Sequence, residues 1–166
     1  METSTKSEVG GRKSEWAGAE SGAVLQIREF EGEKDFAWLE EWHEGHGGMA
    51  PPGALLPKLG IVVFETNGGE QEDVAALWLY MDNSVGVCFV EHVVTRPGLT
   101  LAGARGALLF GLTFLKERAM AMNYGLMLVH TRPAIARVLR GAGFREDKRD
   151  LVAMWTLTGE TNGNGN

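Results

Sequence analysis

One cysteine in 166 residues, Cys88, leaves no intrachain disulfide partner, so a reducing, cytoplasmic setting is expected. Long apolar runs are also missing. The strongest, ALLFGLTFL over 107–115, is less than half of the ~20 residues that span a bilayer. The first 22 residues hold no apolar core of the kind a secretory signal needs, so membrane insertion and export are not expected. There is no long basic stripe either. Lys and Arg total 16 against 22 acids, a net charge of −6, which disfavours general nucleic-acid binding through counterion release. No internal repeat and no second domain are visible.

What is present suits one globular domain with a sizeable core, since 44% of the chain is hydrophobic. The ends are too polar to offset chain entropy, so 1–22 and 158–166 are expected to be disordered tails around a domain at 23–157. Charge is uneven along the chain. Residues 1–72 carry 14 acids and 6 bases, whereas 73–166 carry 8 acids and 10 bases. That asymmetry suits an amine substrate beside an anionic cofactor, and incidental surface charge accounts for it equally well.

Periodicity gives the elements. Alternation over 25–30 (LQIREF) predicts a strand, and Phe36, Leu39, Trp42 and His43 at helical spacing predict a helix over 34–43. The segment EGHGGMAPPGALLPKLG is too rich in Gly and Pro for one regular element. A short helix over 53–58 is expected within it, and the segment is a candidate substrate lid. Strands at 60–65 and 73–80 should join through an Asn67-Gly68 turn, and a third strand follows at 85–95. A long helix over 101–123 carries Leu101, Ala104, Leu108, Leu112, Leu115, Ala119 and Met122 as its buried stripe. Thr100 should cap it and Gly125 close it. A strand at 126–129, a helix opened by Pro133 and ended by Gly143, and a hairpin from 144–146 to 151–157 complete the chain. The order is β-α-α-β-β-β-α-β-α-β-β.

The chemistry concentrates in 85–111, VGVCFVEHVVTRPGLTLAGARGALLFG. A strand, a Pro-Gly break and a helix start present free backbone N–H groups, a seat for phosphate oxygens. Glu91 lies among apolar neighbours. Desolvation there should raise its pKa, which suits a general base for an ammonium group, and a buried acid paired with an Arg or His is the equal alternative. His92 points to the opposite face unless a bulge intervenes. His43 and His46 sit in HEGH, one residue short of a zincin motif with no third ligand, so metal binding is not expected and a helix end is. His130 could line a cleft, although a strand-end His bonded to backbone is the more ordinary arrangement. Cys88 reads as core packing, and so do Trp38, Trp42, Trp78 and Trp155.

This element order resembles the GNAT superfamily of N-acetyltransferases over 25–157. Pro97, Gly103, Leu108-Leu109 and Ala142-Gly143-Phe144 stand at that family's spacing. Phe89-Val90-Glu91 and Thr131-Arg132-Pro133 resemble segments of small phage-borne and environmental members. The resemblance implies an α+β fold, a mixed central sheet flanked by helices, and acetyl-CoA as cofactor. Backbone groups of Val93, Val94 and Thr95 would pair with the pantetheine. The pyrophosphate loop would comprise Thr100, Leu101, Ala102, Gly103, Ala104, Arg105 and Gly106, with Arg105 clashing with the phosphates or binding them through its guanidinium. Glu91 would be the base. Leu139 stands where many members carry a proton-donating Tyr, and Arg132 where an Asn is frequent; Tyr124 is the candidate substitute donor. The basic residues Arg132, Arg137, Arg140, Arg145, Lys148 and Arg149 could attract CoA phosphates or simply be solvated.

The function implied is acetyl transfer from acetyl-CoA to a small-molecule or peptide amine, by a monomer or homodimer. Its alternative is a catalytically degenerate GNAT-fold binding or assembly module.

Overall fold

The computed structural model describes residues 24–131 and 133–146. Within that span a single mixed sheet, ordered β1-β2-β3-β4-β5, separates two helical layers. Strands β1 (Val24–Glu29), β2 (Gly60–Asn67), β3 (Glu70–Asp82) and β4 (Val87–Thr95) run antiparallel in succession. Strand β5 (Leu126–Val129) joins β4 in parallel, through the crossover helix α2 (Leu101–Ala121). The predicted α+β GNAT-type architecture is therefore the one observed through the helix ending at Gly141, whereas 144–146, expected to open the closing hairpin, forms no strand among the described residues. The closing strand 151–157, Trp155, Lys148, Arg149 and Arg132 lie outside the described residues, as do both tails.

Helices α2 and α3 (Pro133–Gly141) cover one face. Their Leu108, Leu112, Leu115 and Leu139 pack on Val63, Leu77, Leu79 and Val90. Helix α1 (Gly32–Gly45) covers the other face, where Leu39 and Trp42 meet Ala76, Trp78 and Val94. The predicted α2 stripe holds at its centre. At its ends Leu101 and Met122 are exposed, because the helix projects past the sheet there. Gly111 explains how closely α2 lies: a Cβ at that position would come 2.7 Å from Leu77.

Three local expectations are corrected. The hairpin turns at Gly68 and Gly69, both with positive φ, while Asn67 still pairs with Glu70. A two-residue turn of this kind needs positive φ at both positions, and glycine supplies that at no steric cost. Helix α2 is closed by Asn123 (φ 63°), with the Tyr124 N–H on the Ala119 carbonyl; the Gly125 N–H goes instead to Gly86. The helix expected over 53–58 is a single 3-10 turn, Gly53–Leu55, bounded by Pro52 and Pro57.

A buried ion cluster pins α1 to the sheet. Asp35, 1% exposed, accepts two bonds from Arg28 (2.6 and 2.9 Å), one from the Glu31 N–H and one from Trp38 Nε1. Arg28 also reaches Asp73 at 2.6 Å. Burial alone would raise the Asp35 pKa; the donors surrounding it reverse that and hold the carboxyl below its ordinary value. Nothing in the sequence pairs these three residues: Arg28 and Asp73 meet across β2 through the sheet register, and Asp35 joins them where α1 folds back on the sheet.

Candidate active site

The sheet opens at its β4–β5 edge. Strand β4 pairs with β3 as far as Thr95, but its pairing with β5 stops at Val90 opposite Val129. Strand β5 ends there because Pro133 opens α3 four residues later. From Glu91 to Val94, the β4 backbone groups on that side have no strand partner among the described residues.

A bulge sits at the opening. Glu91 pairs with Trp78 and Val94 with Ala76, so His92 and Val93 together oppose Leu77. His92 takes the extra position, with φ 53°. This re-aims its ring towards Tyr80, with centroids 5.7 Å apart, instead of leaving it on the regular alternation. Beyond the bulge Val93 packs with the α2 face and Val94 with the α1 face.

Glu91 shares the α1 face with Phe89, as their partners Trp78 and Tyr80 do. Its Oε1 lies 3.6 Å from His130 Nδ1, and the Phe89 and His130 rings are nearly parallel (18°, centroids 6.4 Å). The Glu91 side chain is 39% exposed, so the desolvation expected from its flanks does not arise. The bulge and the opening let water reach a carboxylate that a regular interior strand would bury. His130 therefore faces the cleft and Glu91, rather than holding backbone.

The opening is the mouth of a cleft of ≈ 450 Å³. Val90, Val93, Leu108, Leu112, Val129, Ile135 and Leu139 make its apolar wall, and Glu91, His92, His130 and Thr131 its polar rim. Burial lowers the proton affinity of His92 against the opposing pull of Glu91. Burial also lowers that of His43, helped by the neighbouring His92 and His46. The Tyr80 phenol is pushed up by burial and then by the charge of Glu91, and it donates to the Leu55 carbonyl at 2.9 Å. The cleft rim thus holds His92 and His130 next to one carboxylate. Phe89 of the Phe89-Val90-Glu91 segment lies on the same strand face as Glu91, and Tyr80, which no motif singles out, pairs with Phe89 from β3.

The α2 N-terminus lies at the end of the β4–α2 loop. Thr100 caps it as expected, its Oγ1 accepting from the Gly103 N–H at 3.1 Å. The first-turn residues Leu101 and Ala102 are exposed, and N–H groups at N1 and N2 have no intrahelical acceptor. A Cβ on Gly103 would stand 3.3 Å from Thr100 Oγ1, whereas one on Gly106 would meet nothing within 4 Å. Arg105 extends across to α3, its Nη2 3.7 Å from where a Cβ on Gly141 would be.

Other candidates are removed from the cleft. Tyr124 donates to Asn83 Oδ1 at 2.5 Å, beyond the far end of α2, about 30 Å of helix from Thr100. Leu139 is the exception: it is buried in the cleft's apolar wall, where it packs but has no proton to donate. Cys88 is fully buried and its thiol pushed up by that burial, which suits packing and not nucleophilic chemistry. His46 ends α1, with its Nε2 2.8 Å from the Thr95 carbonyl, so one backbone group of the Val93, Val94 and Thr95 run is engaged already. Arg140 is paired with Glu146 at 2.7 Å. No helix of the described residues is long and apolar enough to cross a membrane.

No protein-family model and no curated protein matches the chain. Solved structures do. An acetyltransferase of Trypanosoma brucei aligns with TM-score 0.52 and 20% identity, over 79% of this chain and 99% of that one. The fold is that of the GNAT acetyltransferases. An aminoglycoside acetyltransferase from an uncultured soil metagenomic sample, in complex with sisomicin, gives TM-score 0.53 at 10% identity. It covers 80% of this chain and 96% of the other. The aminoglycoside N-acetyltransferase AAC(6')-Iy, in complex with CoA, gives 0.51 at 15% identity, over 84% and 99%. Likeness at these identities is one of architecture, so chemistry has to be argued from this chain's own residues.

Proposed function

We propose that this GNAT-fold chain transfers an acetyl group from acetyl-CoA to an amine, with Glu91 as the base. The observation that carries this reading is the opening between β4 and β5, which places Glu91 and an unpaired β4 edge at the mouth of an apolar cleft. Acetyl-CoA supplies an activated acyl thioester. The residues present fit it: Val93, Val94 and Thr95 offer backbone groups to an amide-bearing arm, and the apolar wall accepts its methylenes. At the helix start that Thr100 caps, Leu101 and Ala102 offer free N–H groups, and the small residues Gly103, Ala104 and Gly106 leave room for phosphate oxygens. Glu91 takes the proton from the incoming ammonium, directly or through a water molecule, with His130 Nδ1 3.6 Å from its carboxylate. Free N–H groups at the β4 edge polarise the carbonyl under attack. No phenol stands at the Leu139 position, so the proton for a departing thiolate would have to come from solvent. The short segments Phe89-Val90-Glu91 and Thr131-Arg132-Pro133 favour a place among small phage-borne and environmental members, and a lone buried thiol suits the cytoplasm.

Saturating acetyl-CoA, at about 100 times its Kd, should add about 2.7 kcal/mol of stability and raise the melting temperature by roughly 5–10 °C. A melt unmoved by both acetyl-CoA and free CoA would leave the chain as a binding or assembly module of this fold.

Arg105 borders the groove between α2 and α3, within reach of phosphates at the α2 start. Arg105→Ala should weaken CoA binding by about 1.5–3 kcal/mol, the scale of a charge-assisted hydrogen bond, as measured by calorimetric titration. Unchanged affinity would confine the guanidinium to the C-terminal end of α3, where it complements the helix dipole.

A further inference from the structure

The acceptor side of the opening has a specific chemistry. Glu91 is the one carboxylate lining the cleft among the described residues. Rings surround it on the α1 face. Phe89 lies two residues before it and nearly parallel to His130; Tyr80 and His92 form a second pair with centroids 5.7 Å apart. Tyr80 in turn fastens the 3-10 turn by its bond to the Leu55 carbonyl. Leu55 and Met49 of that segment are both exposed.

We infer that the acceptor is a primary monoamine with a flat, aromatic body, its ammonium on Glu91 and its ring against Phe89 and His92. This deepens the transferase reading and rests on it for the chemistry, but recognition can be measured without turnover. One carboxylate neutralises one ammonium. The electron-rich ring faces attract the same cation and stack with an aromatic body, whereas a saturated body gains contact area alone. A polyamine or aminoglycoside would bring several ammonium groups to a rim offering a single acid. Near-neutral His92 and His43 add no repelling charge behind it, because burial disfavours their protonated forms.

The test is calorimetric titration of phenethylamine, 2-cyclohexylethylamine and spermidine into the full chain, with and without CoA, repeated on Phe89→Leu. Phenethylamine should bind about twofold to twelvefold tighter than its saturated counterpart, the scale of one ring-stacking contact. Phe89→Leu should erase that preference while leaving CoA affinity and the melting temperature close to wild type. Equal affinity for the aromatic and saturated amines, tighter binding of spermidine, or no phenethylamine binding at millimolar concentration overturns the inference. In each of those cases, retained CoA binding leaves the transferase reading standing. Phe89-dependent phenethylamine binding without any CoA binding reverses the outcome: amine recognition stands and acetyl transfer falls. If Phe89→Leu melts early, Phe89→Met replaces it as the ring deletion under the same criteria.

Discussion

Replacing Glu91 by Gln is expected to lower acetyl-CoA-dependent turnover by about two to four orders of magnitude while leaving CoA affinity unchanged. The amide keeps the size of the side chain and one acceptor oxygen, but it cannot take a proton at neutral pH. Because the carboxylate is 39% exposed and its partner His130 is more exposed still, no buried countercharge is stranded by the change. The melting temperature should therefore stay within about 2 °C of wild type, the scale of a surface substitution. An assay of acetyl-CoA consumption against a panel of amines, run beside a melt and a CoA titration, separates the possibilities. Full turnover with a depressed melt would make Glu91 a structural ion-pair member and remove it from the mechanism.

The second large effect concerns stability. Asp35→Asn should destabilise the fold by about 3 kcal/mol at pH 7, at the lower end for breaking a buried ion pair. Arg28 keeps Asp73 and partial access to water, which limits the loss. The folded-state pKa of Asp35 lies below its unfolded value, so its ionised form stabilises the fold fully above the unfolded carboxylate pKa of about 4. That contribution disappears as pH falls through the lower folded value. Urea unfolding at a series of pH values should show the gap between wild type and Asp35→Asn at full size near pH 7 and narrowing below about pH 4. A gap of the same size at pH 3 would show that ionisation of Asp35 contributes nothing, and that packing alone accounts for its burial.

Much of the architecture was legible because it is local. The spacing of Leu108, Leu112, Leu115 and Ala119 commits α2 to one buried face whatever packs on it. Thr100 must satisfy an N–H in the first turn, and it does so. Pro133 fixes a helix start, Gly143 with its positive φ a helix end, and alternating residues fix the strands. Glu91 was also legible, as the one acid in an apolar strand.

Its environment was not. The exposure of Glu91 and the place of His92 both follow from one extra residue in β4, and a bulge changes no composition and no local pattern. His130 reaches Glu91 only because β5 stops pairing at Val129, a long-range event between strands separated by α2. The same holds for Arg28 and Asp73, whose pairing depends on register across three strands, and for Asp35, which reaches them from α1. Sequence determines which face each residue presents, since helical and strand periods are properties of the backbone. Tertiary structure alone decides which faces meet, because that choice depends on pairing register and strand length, set by the packing of the whole chain.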